Sequence, residues 1–465
     1  MRTVVSIILA AGEGTRMKSA LPKVLHAICG QPMVAYVLRA VLDAGCRKNY
    51  LVVGYRAEEV IEALRSFPSL REKRIEFVRQ SRLLGSGHAV LQTKKDLKGY
   101  GGDVLVVNGD LPLLSGATLN RLVQAHFRQG NSLTILGAIL KDPSGYGRIV
   151  ENRANDEKRI RIVEERDATP RERRINQVNA GVYCFQAKDL FKALAKIRPD
   201  NRKKEYYLTD AAKILSEMGK KVGMVIAKDS SEVEGVNNRK QLANVQKCIN
   251  MKNLERLMFN GVTIVDPSST FVDSTVRIGR DTIVYPGSSI LGKTRIGENC
   301  RLGPYAFIQD CRIDKDVEVR ASFIYGAKIA ERAKVGPFSH IRPGTVVGED
   351  VRVGNFCEVK KSKIGQGTKV SHLSYIGDSF LGKNVNIGAG TITCNFDGIR
   401  KNITRVGDNT FVGSDTKFIA PVKIGKGAVI GAGSTITEDV PAGKLAIARA
   451  RQIIKDRKKG RKIKR

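Results

Sequence analysis

Tryptophan is absent from this chain, histidine occurs only five times, and aromatic residues make up 6% of it. No helix-turn-helix, aromatic stacking pattern or zinc spacing is present, so a main role in reading nucleic acid is not expected. The eight cysteines (Cys29, Cys46, Cys184, Cys248, Cys300, Cys311, Cys357, Cys394) form no C-x-x-C pair. That argues against a zinc site and against a disulfide framework, and favours reduced, packed thiols in a cytoplasm. No stretch approaches the roughly 18 consecutive apolar residues that a membrane span needs, so no membrane partner is expected. Val4 to Ala11 has the look of a short signal segment, but it runs straight into Gly12-Glu13-Gly14-Thr15-Arg16-Met17 without a small-residue cleavage site. A buried first strand is the better reading.

Acidic residues are also in short supply, 46 against 80 lysines and arginines, for a net charge of +34. A surplus of this kind suits nucleic acid, anionic lipid, polyanionic small substrates such as nucleotides and coenzyme A, or simply a solvated basic surface. A chain of 465 residues is too long for one compact core, and two or more domains are expected.

The richest pattern lies between Val276 and Val440, where an aliphatic residue returns every sixth position. The series begins Ile278, Val284, Ile290, Ile296, Leu302, Ile308. After a one-residue slip it continues through Ile313, Val319, Ile324, Ile329, Val335, Ile341, Val347, Val353 and Val359. A six-residue period fits neither a helix nor an alternating strand. It fits a hexapeptide β-helix, whose coils bury their apolar residues only against neighbouring coils.

The N-terminal half alternates strand-like runs (Val4–Ala11, Tyr50–Gly54, Ile75–Arg79, Val104–Asn108, Leu133–Leu140) with helical stretches such as Met33–Ala44 and Ala57–Ser66. The pattern predicts an α/β fold with a Rossmann-like, mostly parallel sheet. Ligands in such sheets sit beyond the carboxyl ends of the strands, where the loaded loops fall. The first loop, Leu9-Ala10-Ala11-Gly12-Glu13-Gly14-Thr15-Arg16-Met17, precedes Leu21-Pro22-Lys23. Glycines there let backbone N–H groups close around a phosphate, with Arg16 and Lys23 adding charge. Neither a Walker loop nor a full G-x-G-x-x-G is present.

The composite L-A-A-G-x-G-T-R-M with a downstream Pro-Lys resembles the sugar-nucleotide pyrophosphorylases. Further matches are Gln80 with Leu84-Gly85-Ser86-Gly87-His88-Ala89, Asn108-Gly109-Asp110, Gly145-Tyr146-Gly147-Arg148, Val163-Glu164, Val178-Asn179-Ala180-Gly181, Glu205 to Asp210, and Glu234-Gly235-Val236-Asn237-Asn238-Arg239. With the hexapeptide array, the chain is similar over nearly its whole length to one family of bacterial bifunctional enzymes. These join an N-acetylglucosamine-1-phosphate uridyltransferase to a glucosamine-1-phosphate acetyltransferase. The resemblance implies a uridyltransferase domain over 1–237, a linker helix over 238–260, a left-handed parallel β-helix over 261–444 and a basic tail over 445–465. That tail is either solvated or folds in its first part near coenzyme A.

The implied chemistry is acetylation of glucosamine-1-phosphate by acetyl-CoA, followed by transfer of UMP from UTP to the product, supplying cell-envelope synthesis. In the first domain the resemblance assigns Leu9, Ala10, Ala11, Gly12, Arg16, Lys23, Asn108 and Gly109 to the nucleotide and its phosphates, and Gln80, Gly85 and Ser86 to uracil. Gly147, Glu164 and Asn179 go to the sugar, and Asp110 and Asn237 to Mg2+. Taken by themselves, Asp110 reads as a turn residue and Asn237 as a helix N-cap. His88 is expected to be structural.

In the β-helix the resemblance makes His372 the acetyl-transfer base. An imidazole titrating near pH 6.5 suits removal of a proton from the sugar's ammonium. Arg342, Lys360, Tyr375 and Asn386 would bind the sugar phosphate, and Ala389, Asn395, Phe396, Ser414, Ala432 and Arg449 acetyl-CoA. Two departures stand out: Phe396 where the family often has tyrosine, and Arg82-Leu83 where polar residues are usual. A homotrimer is also implied, since such acyltransferases form sites between adjacent β-helices. The rival readings are a pyrophosphorylase whose β-helix serves only assembly, and a non-enzymatic scaffold of the same architecture.

Overall fold

The computed structural model describes residues 4–66, 75–154 and 157–455; residues 456–465 of the basic tail lie outside them. The chain divides into two units, Met1–Ile249 and Asn250–Arg465.

The first unit is built on a mixed sheet. Its main path runs Val222–Ile226, Leu133–Ile139, Gln177–Gln186, Asp103–Asn108, Val4–Ala10, Asn49–Val53, Ile75–Arg79. Val4–Ala10 pairs in parallel with Asn49–Val53 and with Asp103–Asn108. Only Gln177–Gln186 on this path runs against its neighbours. The central strands are continuous apolar runs because both their faces are covered. Ile8, Leu51 and Leu105 pack into one core cluster, and Ile7, Val52 and Val106 into the other. Strand Val4–Ala10 therefore ends its buried run where the glycine loop begins, at the carboxyl edge of the sheet.

One irregularity matters for function. Gln177–Gln186 loses register with Leu133–Ile139 between Asn179 and Tyr183. Bulges of this kind re-aim side chains. Gly181 takes φ +71°, and a Cβ there would fall 2.1 Å from Nδ2 of Asn108. Glycine is needed to let the ends of these two strands carry both asparagines.

Helix Arg239–Phe259 buries Val245 and Ile249 against Met17, Ile28 and Met33 of the first unit, and Leu254 and Leu257 in the core of the second. In the second unit the Asn250 side chain donates to the Thr270 carbonyl (2.8 Å) and accepts from the Val272 amide (2.9 Å). It satisfies backbone groups at the first coil as a strand would.

The second unit is a three-sided parallel β-helix of 11-, 10- and 9-stranded sheets, each coil giving a strand to each side. We call the sides the Thr263, Phe271 and Arg277 faces, after the first residue of each. The aliphatic ladder from Ile278 to Val359 is buried throughout, as the six-residue period predicts. Two residues before each of these sits a small buried residue such as Thr282, Ser288, Thr294 or Ser322. Cys300, Cys311 and Cys357 occupy the same interior position, which accounts for three of the reduced thiols. Gly303, Gly336, Gly354 and their neighbours turn the corner between the Thr263 and Phe271 faces. There Tyr305, Phe338, Phe356 and Leu373 hold positive φ, a conformation bulky residues rarely adopt.

The segment read as a tail opens with an ordered strand, since Leu445–Ala446 pairs in parallel with Val429–Ile430 as the last rung of the Thr263 face. No helix among the described residues is long and apolar enough to cross a membrane.

Candidate functional sites

In the first unit a continuous cleft opens at the carboxyl edge of the sheet. Its floor carries Leu9, Asn108, Asp110, Asn179 and Asn237, its glycine-loop side Gly12, Gly14, Arg16 and Lys23, and its far end Gln80, Gly85 and Ser86. The loop can close this tightly because Gly14 has φ +70°, and a Cβ there would lie 2.6 Å from Cβ of Lys23. Gly109 is equally constrained: its amide donates to the Leu9 carbonyl at 2.9 Å, and a Cβ would lie 2.8 Å from that oxygen.

Four groups converge at the centre. Lys23 Nζ lies 2.5 Å from Asp110 Oδ2 and 3.1 Å from Asn237 Oδ1, while Arg16 donates to the same Asn237 oxygen at 2.8 Å. The N-cap duty read for Asn237 falls instead to Asn238, whose Oδ1 accepts from the Gln241 amide at 2.9 Å. Gln241 in turn accepts from the backbone amide of Asn237, leaving the Asn237 carboxamide turned to the cleft.

The loop after Ile75–Arg79 is zipped to residues 206–208. Gly87 donates to the Tyr206 carbonyl and Tyr206 to the Leu84 carbonyl, both at 2.8 Å, and Ser86 Oγ accepts from the Leu208 amide. Gln80 Nε2 donates to the Gly85 carbonyl and meets His88 Nδ1 at 3.0 Å. His88 thus braces Gln80, and burial lowers its pKa, partly opposed by a hydrogen bond to the Arg82 backbone.

On the sugar side, Asn179 donates to Tyr183 (2.7 Å) and its amide donates to the Gly147 carbonyl (2.8 Å). Glu164 accepts from Thr209 at 3.1 Å. Burial raises the Glu164 carboxyl above its ordinary range, and the Thr209 hydrogen bond only partly opposes this. Sequence reading did not single out Lys203 or Arg166, which border the cleft, while Thr209 lies in the Glu205 to Asp210 motif and also lines it.

In the second unit the residues read for acetyl transfer fall in two groups. One is a column along the corner between the Thr263 and Phe271 faces. Asn355 stands opposite His372, Val370 opposite Ile387, Ile387 opposite Val412, and Val412 opposite Ile430. Two positions further along each coil this ladder brings His372, Ala389, Ser414 and Ala432 into line. The Ala389 carbonyl accepts from Asp415, Ser414 from Gly433, and Ala432 from the Arg449 guanidinium at 2.7 Å. Close spacing is possible because Gly388 and Gly413 have no side chain; a Cβ on either would lie 2.5 Å from the next coil's backbone. His372 is exposed, and its Nδ1 lies 2.7 Å from Asn355 Oδ1. A carboxamide oxygen only accepts, so Nδ1 is the donor in this contact, and in a neutral imidazole the lone pair is then on Nε2.

The other group lies on the Phe271 face. Tyr375 pairs with Glu358, and Arg342 donates its amide to the Val359 carbonyl beside Lys360. The Arg342 guanidinium pairs with Glu358 at 2.8 Å, which raises its pKa further. Asp378 ties the rest together: its Oδ2 is 3.7 Å from Lys360 Nζ and accepts from Asn395 Nδ2 at 2.5 Å, and that amide also reaches Tyr375 OH at 3.4 Å. Asn386 stands apart, facing outward on the Thr263 face between Lys369 and Phe411. Phe396 lies in the loop after Asn395 with its ring 4.8 Å from Lys401 Nζ. Sequence reading missed Asn355 and Asp378.

A nucleotide-sized cleft on a mixed α/β sheet, followed by a β-helix whose corner column carries His372, defines a nucleotidyltransferase joined to a hexapeptide transferase. Residues 5–235 match the Nucleotidyl transferase family, 275–310 and 403–438 the Bacterial transferase hexapeptide (six repeats), and 324–418 the GMPPB C-terminal domain. The chain is 48% identical over 450 residues to the bifunctional protein GlmU of Carboxydothermus hydrogenoformans, covering 97% of this chain and 98% of that protein. It is 46% identical over 456 residues to that of Caldanaerobacter subterraneus (98% and 97% covered), and 46% over 451 residues to that of Thermotoga maritima (97% of each). The chain belongs to the family of bifunctional GlmU proteins. It is a bifunctional transferase, with a uridyltransferase and an acetyltransferase activity in the synthesis of UDP-N-acetylglucosamine.

Proposed function

We propose that the two sites divide the work as follows. The cleft of the first unit binds UTP and N-acetylglucosamine-1-phosphate. Leu9 to Gly12, Asn108 and Gly109 border the nucleotide, Arg16 and Lys23 its phosphates, and Gln80, Gly85 and Ser86 the uracil. Gly147, Glu164 and Asn179 hold the sugar. A phosphate oxygen of the sugar phosphate attacks the α-phosphorus of UTP, the bond to the β-phosphate oxygen breaks, and pyrophosphate leaves. The protein contributes position and charge, which is most of what such a transfer needs.

Asp110 and Asn237 would hold Mg2+. Their two oxygens already meet at one cation, the Lys23 ammonium. No cluster of three or more His, Cys, Asp or Glu side chains is present among the described residues. A donor set of two oxygens fits Mg2+, which completes its shell with phosphates and water. Bound there, it would neutralise charge on the phosphates. The convergence of Lys23, Asp110, Asn237 and Arg16 is the observation that carries this assignment.

Acetyl transfer is assigned to the β-helix. Glucosamine-1-phosphate would be held by Arg342, Lys360, Tyr375 and Asn386, and acetyl-CoA by Ala389, Ser414, Ala432 and Arg449 along the corner column together with Asn395 and Phe396 outside it. His372 Nε2 takes a proton from the sugar ammonium; the freed nitrogen attacks the thioester carbonyl, the C–S bond breaks, and coenzyme A leaves. These side chains lie on open faces of one β-helix, and a homotrimer would supply the missing wall. Exposed Phe271, Phe323, Phe338 and Phe356 offer apolar surface for that contact. A cytoplasmic location agrees with the eight free thiols.

His372→Ala tests the division. It should cost acetyl transfer on the order of 100-fold or more, with uridyl transfer within about twofold, since sites without shared partners behave independently. Full acetyl transfer by a folded variant would return His372 to a structural role. Light scattering tests assembly, and an active monomer would refute the trimer.

A further inference from the structure

We propose that the Arg277 face of the β-helix is a docking track for single-stranded nucleic acid, held through its phosphates. Parallel pairing stacks Arg277, Arg295, Arg312 and Lys328 in one column of outward-facing residues, and continues through Val346, Lys363, Phe380, Arg405 and Lys423. Seven of nine rungs carry a cation, and all seven are exposed. With strands about 4.8 Å apart, the column is a straight track about 38 Å long.

Few of these charges meet a carboxylate. Among the described residues, only Arg312 of the seven has a carboxylate partner, Asp314 at 3.8 Å. Lys363 and Arg405 flank the Phe380 ring, 5.9 Å and 4.5 Å from its centroid. Like charges opposite one another across a sheet are destabilising, so the run of them at Arg277, Arg295, Arg312 and Lys328, and again at Arg405 and Lys423, is a departure that calls for an outside anion. The neighbouring corner shows the contrast: there Arg280 pairs with Glu298, Lys315 with Glu331, and Arg332 with Glu349 and Asp350.

The layout selects the kind of polyanion. The track is one residue wide and bordered by a carboxylate-rich corner. A plane of anionic lipid headgroups would meet those acids as well as the cations. A second copy offering the same face would meet like charge. A narrow, flexible chain of phosphates can follow the column and avoid the acids, and arginine, present at four rungs, grips phosphate through paired N–H groups. With one aromatic ring in the column, binding would depend on backbone rather than base sequence. This adds a partner that the sequence composition did not lead us to expect, alongside the small-molecule substrates.

The test uses the full chain and a fluorescein-labelled oligo(U) RNA of about 12 nucleotides, within the usual range of strand-binding sites. Anisotropy should show binding at low salt, with log affinity falling against log salt at a slope of about −5 for seven contacts. The variant Arg277→Gln/Arg295→Gln/Lys328→Gln/Lys363→Gln should bind at least about tenfold more weakly, with the slope reduced by about 3. A control, Lys94→Gln/Lys95→Gln/Lys98→Gln/Lys188→Gln, removes the same charge from exposed sites in the first unit and should bind like the parent. Retained acetyl transfer and an unchanged melting curve would show that the column variant is folded. Equal losses in both variants, or no loss in the column variant, would overturn the proposal. So would column-dependent sedimentation with phosphatidylglycerol vesicles in the absence of column-dependent RNA binding.

Discussion

Asn355→Ala offers a graded test of how the acetyl-transfer base is held. His372 sits on the corner column with Nδ1 2.7 Å from Asn355 Oδ1, and no other side-chain hydrogen bond reaches its ring among the described residues. Removing the acceptor frees the ring to turn and to carry its proton on either nitrogen, so part of the population presents the wrong atom to the substrate. The pair is exposed, which bounds the effect. A neutral hydrogen bond in such a place is worth about 0.5–1.5 kcal/mol, equivalent to roughly 2- to 13-fold. We expect kcat for acetyl transfer to fall about 3- to 10-fold, with KM for glucosamine-1-phosphate within about twofold. The backbone bond from the Leu373 amide to the Asn355 carbonyl does not depend on the side chain, so the coil should keep its melting temperature. Thiol release from acetyl-CoA provides the rate. Asn355→Asp restores an acceptor and adds a negative charge, which favours the imidazolium; it should recover kcat at high pH and move the acid limb of the profile upward. An unchanged rate and profile for Asn355→Ala would refute the orienting role. A loss above about 100-fold in a folded variant would also refute it, because one exposed hydrogen bond cannot supply that much.

Two further outcomes test the uridyl site. Asp110→Asn should lower uridyl transfer by at least about 100-fold, as expected when a centre of charge neutralisation is lost, while acetyl transfer stays within about twofold; near-parental formation of UDP-N-acetylglucosamine would remove Asp110 from the proposed metal site. Glu164 should impose a pH dependence on sugar binding. Burial raises its carboxyl, so the folded state holds the proton more tightly than the unfolded chain, and this group's contribution to stability falls as pH rises from its unfolded value through its raised folded one. Sugar hydroxyls would favour the carboxylate, so KM for N-acetylglucosamine-1-phosphate should rise as pH is lowered through that range. Glu164→Gln should raise KM and flatten the dependence, and a parental profile in that variant would exclude the contact.

The sequence exposed most of the architecture because the period of the pattern is a direct record of packing. Ile278 to Val359 repeat every six residues because each must reach the same interior, and the slip before Ile313 shifts the spacing without moving that residue out of the core. The parallel sheet was readable for a related reason: strands buried on both faces become unbroken apolar runs, and the glycine loop begins where the first run ends. Asn237 was harder. An asparagine just before a helix suits capping as well as a metal, and only the geometry shows that Asn238 caps while Asn237 turns to Lys23 and Arg16.

What stayed hidden follows from coil length. Interior residues are fixed by the period, but an outward contact depends on which coil position lies alongside, and that spacing varies: Arg301 stands opposite Glu318, Glu318 opposite Lys334, Asn386 opposite Phe411. The last offset is widened by the loop that carries Phe396. Asn355 lies 17 residues before His372 and Asp378 17 before Asn395, distances with no local signature until the register is known. The basic column is the same effect at larger scale. Net charge is a sum over the chain and is blind to position, whereas parallel in-register pairing turns one recurring residue type into a line. In a β-helix, therefore, the aliphatic residues report the fold and the residues between them report the surface only after register has been fixed. That order makes His372 and its neighbours in the column, and the Arg277 ladder, legible by one rule applied to two sides of the same prism.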